Sequence, residues 1–452
     1  MNNFFERPRI LPIFSIAFFG FVTIVMYSSC KSQTAQNHQY GPVFNDSSVL
    51  VWAKPGKSEE FKDAILKFIQ KNTVNANYCK SCDSNLILLT GTNVATELVG
   101  QLASGGSTSG GTITPHGDGD PLGYYSANFE LGFDDAPKEN KQDSATNLNL
   151  PPSKSEPVLV AVLDSGVDSA NLQRNKLLFH GTTNSCVGKR GVDGWNFPDN
   201  NQATNDDYLN HGGHGNIVSR IIVEKVKAVN DDHVQILPVK VINSSGKGKL
   251  FDMLCGIAYA KERGASIVNA SLGFYPLREV DSSVLLMKEF IRYHLTSNHI
   301  LLIAAGGNGS SDLLVKPFFP AKFSFDSTMD NVIAVNTVAI KNPGTGVSPH
   351  QNYSSSVVDA GVNADQVDGQ KFEFVNPMNN SLVEGSSFAT PVVTAIIAAK
   401  YNFLKTQISS SGQQLNRFTI FPVLITGNFV KNVNNLRPFI KEGKATHNRN
   451  SF

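Results

Sequence analysis

The chain has 452 residues, with 39 basic and 38 acidic side chains and a formal net charge of +1. This near-balance argues against a nucleic-acid-binding protein, which normally carries a strong basic excess. Hydrophobic residues make up 41% of the chain, which argues against global disorder. The length is about three domain lengths, and the five cysteines are an odd number.

The N-terminus has the pattern of an export signal. Arg7 and Arg9 precede an uncharged apolar run of 18 residues, 10–27, which is followed by Ser28-Ser29-Cys30. Three interpretations compete: a cleaved secretory signal, an uncleaved membrane anchor, and a bacterial lipoprotein signal. We favour the last, in which residues 1–29 are removed and Cys30 is lipidated, because two small residues before Cys resemble a lipobox. Tyr27 departs from it, since Leu is expected there. All three interpretations predict an exported protein, either in the cell envelope or secreted.

Lipidation of Cys30 would leave four cysteines, Cys79, Cys82, Cys186 and Cys255. An even set in an exported protein predicts disulfides. The C-x-x-C spacing of Cys79 and Cys82 favours a local disulfide. It only weakly indicates zinc, because no second C-x-x-C and no His pair follow at zinc spacing. Pairing of Cys186 with Cys255 is compatible with the sequence, which does not determine the connectivity.

The segment before residue 151 divides by composition. We predict a polar tether over residues 30–47, a small α+β domain over 48–102 and a flexible Gly-, Ser- and Thr-rich linker over 103–150. The elements predicted within 48–102 are a strand at Val49–Ala53, a helix at Glu59–Gln70, a strand at Leu86–Thr90 and a helix at Val94–Leu102.

Strands and helices alternate from residue 151 to 440, which predicts an α/β domain with a mostly parallel central sheet. Residues 441–452 are predicted to be a C-terminal tail. The predicted strands are continuous apolar runs, as expected for strands buried on both faces, at Val158–Leu163, Val234–Ile242, Ile267–Leu272, His299–Ala305 and Val332–Val338. The predicted helices are Leu250–Arg263, Ser283–Ser297 and Ser387–Leu404.

Four polar side chains occur where such a fold gathers function. Asp164 follows the first buried strand, and Asn308 follows Gly306-Gly307 after another strand. His214 begins an apolar helical pattern, and Ser387 begins the last long helix. Each has an ordinary structural explanation by itself, such as a turn or an N-cap. Together they supply an acid, a base, a nucleophile and an amide donor.

These segments resemble the subtilases, the subtilisin-like serine peptidases, in the chain order Asp, His, Ser. The matching motifs are Asp164-Ser-Gly-Val-Asp, His214-Gly-Asn-Ile-Val, Ala305-Gly-Gly-Asn308 and Gly385-Ser-Ser387-Phe-Ala-Thr-Pro. Asn216, Arg220, Ser386 and Phe388 depart from the usual residues. His211 is the alternative base, but only the His214 register places Val218 and Ile221 in phase. The resemblance covers roughly residues 157 to 403.

The resemblance implies a three-layer subtilisin-like domain and an endopeptidase that cuts polypeptides through an acyl-enzyme. Asp164, His214 and Ser387 would be the triad, and Asn308 would bind the oxyanion. Ser271, Leu272 and Gly273, with residues 245–248, would flank an extended substrate by strand addition. The chemistry would need no cofactor; structural calcium is common in the family, and the acidic loop 199–207 is a candidate site without an EF-hand pattern.

The small N-terminal domain resembles a ferredoxin-like propeptide in length and element order. It would be either a removed inhibitor or a retained accessory domain, and cutting in the linker would free the catalytic domain from a lipid anchor. A non-catalytic binding or adhesion lipoprotein is the alternative function. An esterase is disfavoured because the Gly-x-Ser-x-Gly elbow is missing. We expect a monomer with a membrane contact through its N-terminus, and no nucleic-acid partner.

Overall fold

The structure is a computed structural model. It describes residues 47–56, 59–79, 82–98, 107–109, 112–114, 123–133, 157–169, 172, 177–188, 193–208, 213–229, 234–276, 282–340, 345–347, 350–368 and 371–447. The predicted signal, Cys30 and His211 lie outside these residues. No helix in the described part of the chain is both long enough and apolar enough to cross a bilayer.

A large sheet forms the centre of the C-terminal part. In spatial order its strands are β20 (Lys431–Asn432), β21 (Lys444–His447), β16 (Ala360–Asn363), β14 (Val332–Ala339), β13 (Leu301–Ala305), β12 (Ile267–Ala270), β8 (Val158–Asp164), β10 (Val234–Lys240) and β9 (Trp195–Asn196). The pairs from β21 to β9 are parallel, whereas β20 and the short β15 (Gly346–Val347) pair antiparallel. The mostly parallel sheet confirms the predicted fold class.

Helices cover both faces of this sheet. On β8, alternate residues Val158, Val160 and Val162 pack with the helices α2 (His214–Val229) and α5 (Ser386–Ala399). The intervening Leu159, Ala161 and Leu163 pack with α3 (Leu250–Glu262) and α4 (Ser282–His294) on the other face. Burial on both sides is why these strands are continuously apolar.

The C-terminal part also contains two further helices and a small three-stranded sheet. Two helices follow α5, namely α6 (Tyr401–Ser410) and α7 (Arg417–Thr426). A three-stranded sheet consists of β17 (Gln366–Asp368), β18 (Lys371–Val375) and β19 (Leu382–Glu384). The predicted helix 387–404 is two helices, because α5 ends at Ala399 and α6 begins at Tyr401. The predicted tail 441–452 contains β21, whose buried Ala445 packs beside Ile440.

The N-terminal part is an antiparallel sheet with one long helix, α1 (Glu59–Lys71), packed on it through Phe61, Ile65 and Phe68. Its strand order is β2 (Asn75–Cys79), β3 (Asp83–Thr90), β1 (Ser48–Ala53), β6 (Gly123–Ala127), β5 (Thr112–Thr114) and β4 (Ser107–Ser109). We call residues 47–133 the N-terminal domain.

This domain extends beyond the predicted boundary at residue 102. Strand β6 lies in the predicted flexible linker, yet it pairs with β1 along five residues, and Tyr124 stacks on Trp52. The prediction of a linker over 103–150 is therefore wrong for residues 123–133. The Gly-, Ser- and Thr-rich composition of residues 103–123 concealed the strand, and β6 itself has no apolar alternation, because Tyr124 and Tyr125 are adjacent.

Two disulfides join the N-terminal domain to the C-terminal part of the chain. Cys79 pairs with Cys255 on α3, and Cys82 pairs with Cys186, with Cα–Cα distances of 5.5 and 4.7 Å. The predicted Cys79–Cys82 bridge and the Cys186–Cys255 pairing are both wrong. The prediction rested on the short sequence separation of Cys79 and Cys82. In the structure the N-terminal domain packs against the C-terminal part, and each of these two cysteines meets a different distant cysteine.

A buried ion pair lies in the same contact. The imidazole Nε2 of His294 is 2.7 Å from Asp83 Oδ2, and the Trp52 indole donates to that oxygen at 3.0 Å. His294 and Asp83 are each 3% exposed at their side chains. Burial raises the pKa of Asp83, but the hydrogen bond and charge of His294 outweigh it and leave this pKa below its usual value.

Replacing Asp83 by Asn should lower the melting temperature by several degrees at pH 7, since a buried charge-assisted contact is worth about 1–3 kcal/mol. A depressed carboxyl pKa stabilises the fold fully above the unfolded value of 3.8, and this contribution is lost as pH falls from that value through the lower pKa of the folded state. The difference between the two proteins should therefore shrink below about pH 4. Thermal scans across this range measure it, with the exposed Asp63→Asn on α1 as control. Equal melting temperatures at pH 7 would contradict the role of Asp83.

Candidate active site

The site lies where β8, β12 and β13 end, because the carboxyl ends of parallel strands meet at one edge of a sheet. Asp164 is the last residue of β8, and Ser271 follows β12. His214 and Ser387 are the first and second residues of α2 and α5, which pack on the same face of the sheet. Two strands and two helices thus deliver the predicted residues to one region.

Asp164 and His214 form a direct hydrogen-bonded pair. The imidazole Nδ1 lies 2.8 Å from Asp164 Oδ1, and the two side chains are 2% and 0% exposed. The same oxygen accepts from the backbone N–H of Ser165 at 2.8 Å and from its hydroxyl at 3.2 Å. A carboxylate with these donors is held in one orientation and can fix the imidazole.

A glycine is required beside this pair. A Cβ on Gly215 would lie 2.0 Å from the carbonyl oxygen of Gly166 and 3.0 Å from Asp164 Oδ1. The Gly215 N–H instead donates to the Ser165 hydroxyl at 3.1 Å. The glycine after His214 therefore allows helix α2 to approach the end of β8.

Ser387 is anchored to the strand-end residue Ser271 in both directions. Its hydroxyl donates to the Ser271 carbonyl at 3.0 Å, and the Ser271 hydroxyl donates to the Ser387 carbonyl at 2.8 Å. Asn269 Nδ2 donates to the Ser271 hydroxyl at 3.0 Å, and Thr394 donates to Asn269 Oδ1 at 2.8 Å. Phe388, the next residue, packs with its ring centroid 5.2 Å from that of His214, which brings the serine's helix against the Asp–His pair.

Asn308 lies beside the same helix N-terminus. Its Oδ1 accepts from the backbone N–H of Ser386 and from Gln351 Nε2, both at 2.9 Å. Gln351 is buried. These two donors hold the oxygen end of the amide and so define where its NH₂ end lies. Nothing in the sequence pointed to a role for Gln351, because it lies outside the segments that resemble the family motifs.

Three charged residues near the pair, Asp206, Asp207 and Lys240, were not predicted as catalytic residues. Asp206 Oδ2 accepts from the Asn216 N–H in the first turn of α2 at 3.0 Å. Burial, and secondly the charge of Asp164, raise the pKa of Asp206 to about 6. Lys240, which is fully buried, pairs with Asp207 at 2.5 Å and donates to the Ser165 carbonyl. In the sequence, Asp206 and Asp207 were noted only as members of the acidic loop 199–207, the candidate calcium site.

The predicted calcium loop has other contacts. Asn196 Nδ2 donates to Asp199 at 3.0 Å, while Asp206 caps α2 and Asp207 pairs with Lys240. Among the described residues, no group of three His, Cys, Asp or Glu side chains could hold a metal ion. Calcium in this loop stays a prediction.

A segment of the chain itself lies between the two predicted substrate-flanking strands. Strand β7 (Glu130–Gly132) pairs antiparallel with β11 (Lys247–Lys249), and Gly132 bridges Gly273 antiparallel on the other side. Phe133 then stacks on the His214 imidazole, with 3.7 Å between centroids. We call residues 129–133 the resident segment.

The fold and site define a three-layer α/β protein with a buried Asp–His pair beside a serine at a helix N-terminus. A model of the subtilase family matches residues 155–418, more than half of the chain, and the protein belongs to the subtilase family.

Its curated relatives agree with this membership. The chain is 25% identical over 275 residues to a thermophilic serine proteinase of Bacillus sp. (strain AK1), covering 60% of this chain and 58% of that protein. It is 25% identical to thermitase of Thermoactinomyces vulgaris over 239 residues, 52% of this chain and 72% of thermitase. Less than two thirds of the Bacillus relative's length is thus spanned.

Solved structures agree in fold. Fervidolysin from Fervidobacterium pennivorans, described as a keratinolytic enzyme related to subtilisin, superposes with a TM-score of 0.57 at 14% identity, over 90% of this chain and 60% of that one. The epidermin leader peptide processing serine protease from Staphylococcus aureus gives 0.51 at 16% identity, over 88% and 96%.

The raised pKa of Asp206 generates a prediction about stability. A carboxyl whose pKa is raised from 3.8 to about 6 in the folded protein destabilises the fold progressively as pH rises between these values. Asp206→Asn keeps an oxygen that can accept the Asn216 N–H, so its melting temperature relative to the wild type should increase from pH 4 to about pH 6 and then level off. Thermal scans between about pH 4 and 8 measure this, with Asp199→Asn, which removes an exposed charge from the same loop, as control. A melting-temperature difference that does not change with pH would contradict the raised pKa of Asp206.

Proposed function

We propose that the protein is a serine endopeptidase that hydrolyses polypeptides through Asp164, His214 and Ser387. The observation that carries this proposal is the buried 2.8 Å contact between Asp164 and the His214 imidazole, with the helix of Ser387 packed against it. A buried carboxylate that fixes an imidazole against the helix that carries a serine at its N-terminus is the arrangement that proton transfer from a serine hydroxyl requires.

In this mechanism the Ser387 hydroxyl leaves the Ser271 carbonyl and gives its proton to His214 as it attacks the substrate carbonyl carbon. The Ser–O–C bond forms, and the carbonyl π electrons move to oxygen. Collapse of the tetrahedral intermediate breaks the C–N bond, and His214 returns the proton to the leaving amine. Asp164 holds the imidazole and stabilises its protonated form. Water then repeats the sequence to release the acid.

The developing oxyanion would be bound by the Asn308 NH₂ and by the Ser387 backbone N–H at the N-terminus of α5. Support comes from the two donors that hold Asn308 Oδ1 and so orient the amide. Removing one such donor typically costs on the order of 10²–10³ in rate. No cofactor takes part in these steps.

We also propose that the N-terminal domain holds the enzyme inactive. The resident segment pairs with both strands that would receive a substrate, and Phe133 covers the imidazole. A peptide cannot pair with β11 and Gly273 while this segment occupies them.

For localisation we propose export and a lipid anchor on Cys30 in the cell envelope, with the protein acting as a monomer on polypeptides. The apolar run and Ser28-Ser29-Cys30 support the signal. The two disulfides are typical of an exported protein.

A fluorophosphonate probe tests the endopeptidase proposal, because it reacts only with an activated serine. We expect labelling of the wild type, faster labelling of Phe133→Ala, which loosens the resident segment, and none of either protein with Ser387→Ala added. Electrophoresis should show a cut chain only where Ser387 is present. No labelling of Phe133→Ala would contradict the proposal and favour the non-catalytic binding protein.

A further inference from the structure

The resident segment shows which side chains the cleft accepts, and this inference rests on the proposed function. Phe129, Leu131 and Phe133 are buried, whereas Glu130 is exposed and Gly132 half-buried. In an extended strand alternate side chains point the same way. The segment therefore presents three apolar groups to the enzyme and its intervening residues away from it.

Two aromatic rings border the ring of Phe133. It stacks on His214 at 3.7 Å and lies 5.3 Å from the ring of Tyr208. We call the space between these two rings the aromatic site. The Tyr208 ring packs closely against Gly246, at which a Cβ would lie 2.7 Å from the ring.

Leu131 occupies a second position, beside Gly248. A Cβ on Gly248 would lie 2.3 Å from the Val241 carbonyl oxygen, 2.8 Å from Ile242 Cδ1 and 3.1 Å from Leu131 Cδ1. The glycine thus leaves room for a branched apolar side chain, and we call this space the leucine site. Glu130 contributes only an exposed ion pair with Lys247 at 3.0 Å, which is worth little.

The strand register relates these sites to the scissile bond. Gly132 lies opposite Gly273 in antiparallel pairing, so a substrate in the same register has its residue two positions further on opposite Ser271. The Ser271 carbonyl accepts a hydrogen bond from the Ser387 hydroxyl. The substrate residue opposite Ser271 therefore carries the carbonyl that Ser387 attacks. The aromatic site then receives the second residue before the cut, and the leucine site the fourth.

We propose that the enzyme selects peptides with an aromatic residue two positions before the cleaved bond and a leucine-sized residue four positions before it, and that Tyr208 determines the first preference. Full burial of side chains this size corresponds to about tenfold or more in rate over alanine.

The test profiles cleavage of a randomised peptide library by full-length Phe133→Ala, read by mass spectrometry. Aromatic residues should be favoured over Ala about tenfold at the second position, and Leu similarly at the fourth. Adding Tyr208→Ala should reduce the aromatic preference to about threefold and leave the leucine preference unchanged. Phe403→Ala, an exposed aromatic on α6, should change neither.

Equal cleavage of all residues at both positions by a protein that the fluorophosphonate labels would overturn this specificity and leave the endopeptidase proposal standing. An unchanged aromatic preference in Tyr208→Ala would overturn the role of Tyr208. Absence of both cleavage and labelling would overturn the endopeptidase proposal together with this one.

The disulfides carry a second, independent inference. Each joins the N-terminal domain to the catalytic part, across 176 residues for Cys79–Cys255 and 104 for Cys82–Cys186. Hydrolysis of a peptide bond between the two parts breaks the chain but neither S–S bond. We infer that the N-terminal domain remains a covalently attached subunit after such a cut. The expectation that a cut in the linker frees the catalytic domain from a lipid anchor is therefore wrong.

The test is independent of the enzyme's own activity. A recognition sequence for a site-specific endopeptidase replaces residues 141–147 in the Ser387→Ala chain, and the protein is cut there. On denaturing non-reducing electrophoresis the product should migrate as one species. Dithiothreitol should separate two fragments, because each disulfide takes two electrons and two protons to give two thiols while the dithiol closes to a cyclic disulfide.

Matched variants distinguish the two bridges. Cys79→Ser or Cys82→Ser alone should leave the fragments joined through the other bridge, and the double variant should separate without reductant. Two fragments from the unreduced parent would overturn the inference. Should the double variant not fold, mass spectrometry of the unreduced parent decides: peptides linked through Cys79–Cys255 and Cys82–Cys186 support it, and a Cys79–Cys82 linkage overturns it.

Discussion

The buried carboxylate of Asp164 is the constraint on which the site depends. A carboxylate at the end of a strand buried on both faces is stable only if donors surround it. Ser165 and His214 supply those donors, and Gly215 allows α2 to come close enough to do so. The same helix approach brings Asp206 near, where burial and the neighbouring charge raise its pKa. One buried carboxylate is thus matched by the close approach of a helix and by the imidazole of the first residue of that helix.

The parts of the fold that could be predicted are those whose signal is local. The apolar run of β8 and the residues around Asp164, His214 and Ser387 identify themselves within a few positions of the chain. Strand β6 could not be predicted, because only pairing with β1 makes its sparse apolar residues a buried face. The disulfides are a sharper case, since proximity in sequence favoured Cys79–Cys82 and only docking against α3 shows otherwise.

The burial of the resident segment depends both on its own sequence and on a partner far away in the chain. Its apolar residues at alternate positions are visible in the sequence, but the segment was placed in a linker because nothing local says what the alternating face packs against. The partner is Gly248 and its neighbours, more than 100 residues away. Where a strand has its partner in another domain, periodicity indicates that a buried face exists without saying where it is buried.

Covalent attachment changes what activation has to accomplish. Under the proposed inhibition, an N-terminal domain joined by short bridges stays at an effective concentration of about millimolar or higher, so dilution does not remove it. The resident segment must therefore leave the cleft while its domain stays docked through Asp83 and His294. A cut beyond Phe133 would free one end of the segment and would leave Phe129, Leu131 and Phe133 still buried. Release then depends on competition by a substrate for the same two strands, so occupancy of the cleft should fall as substrate with matching side chains becomes abundant.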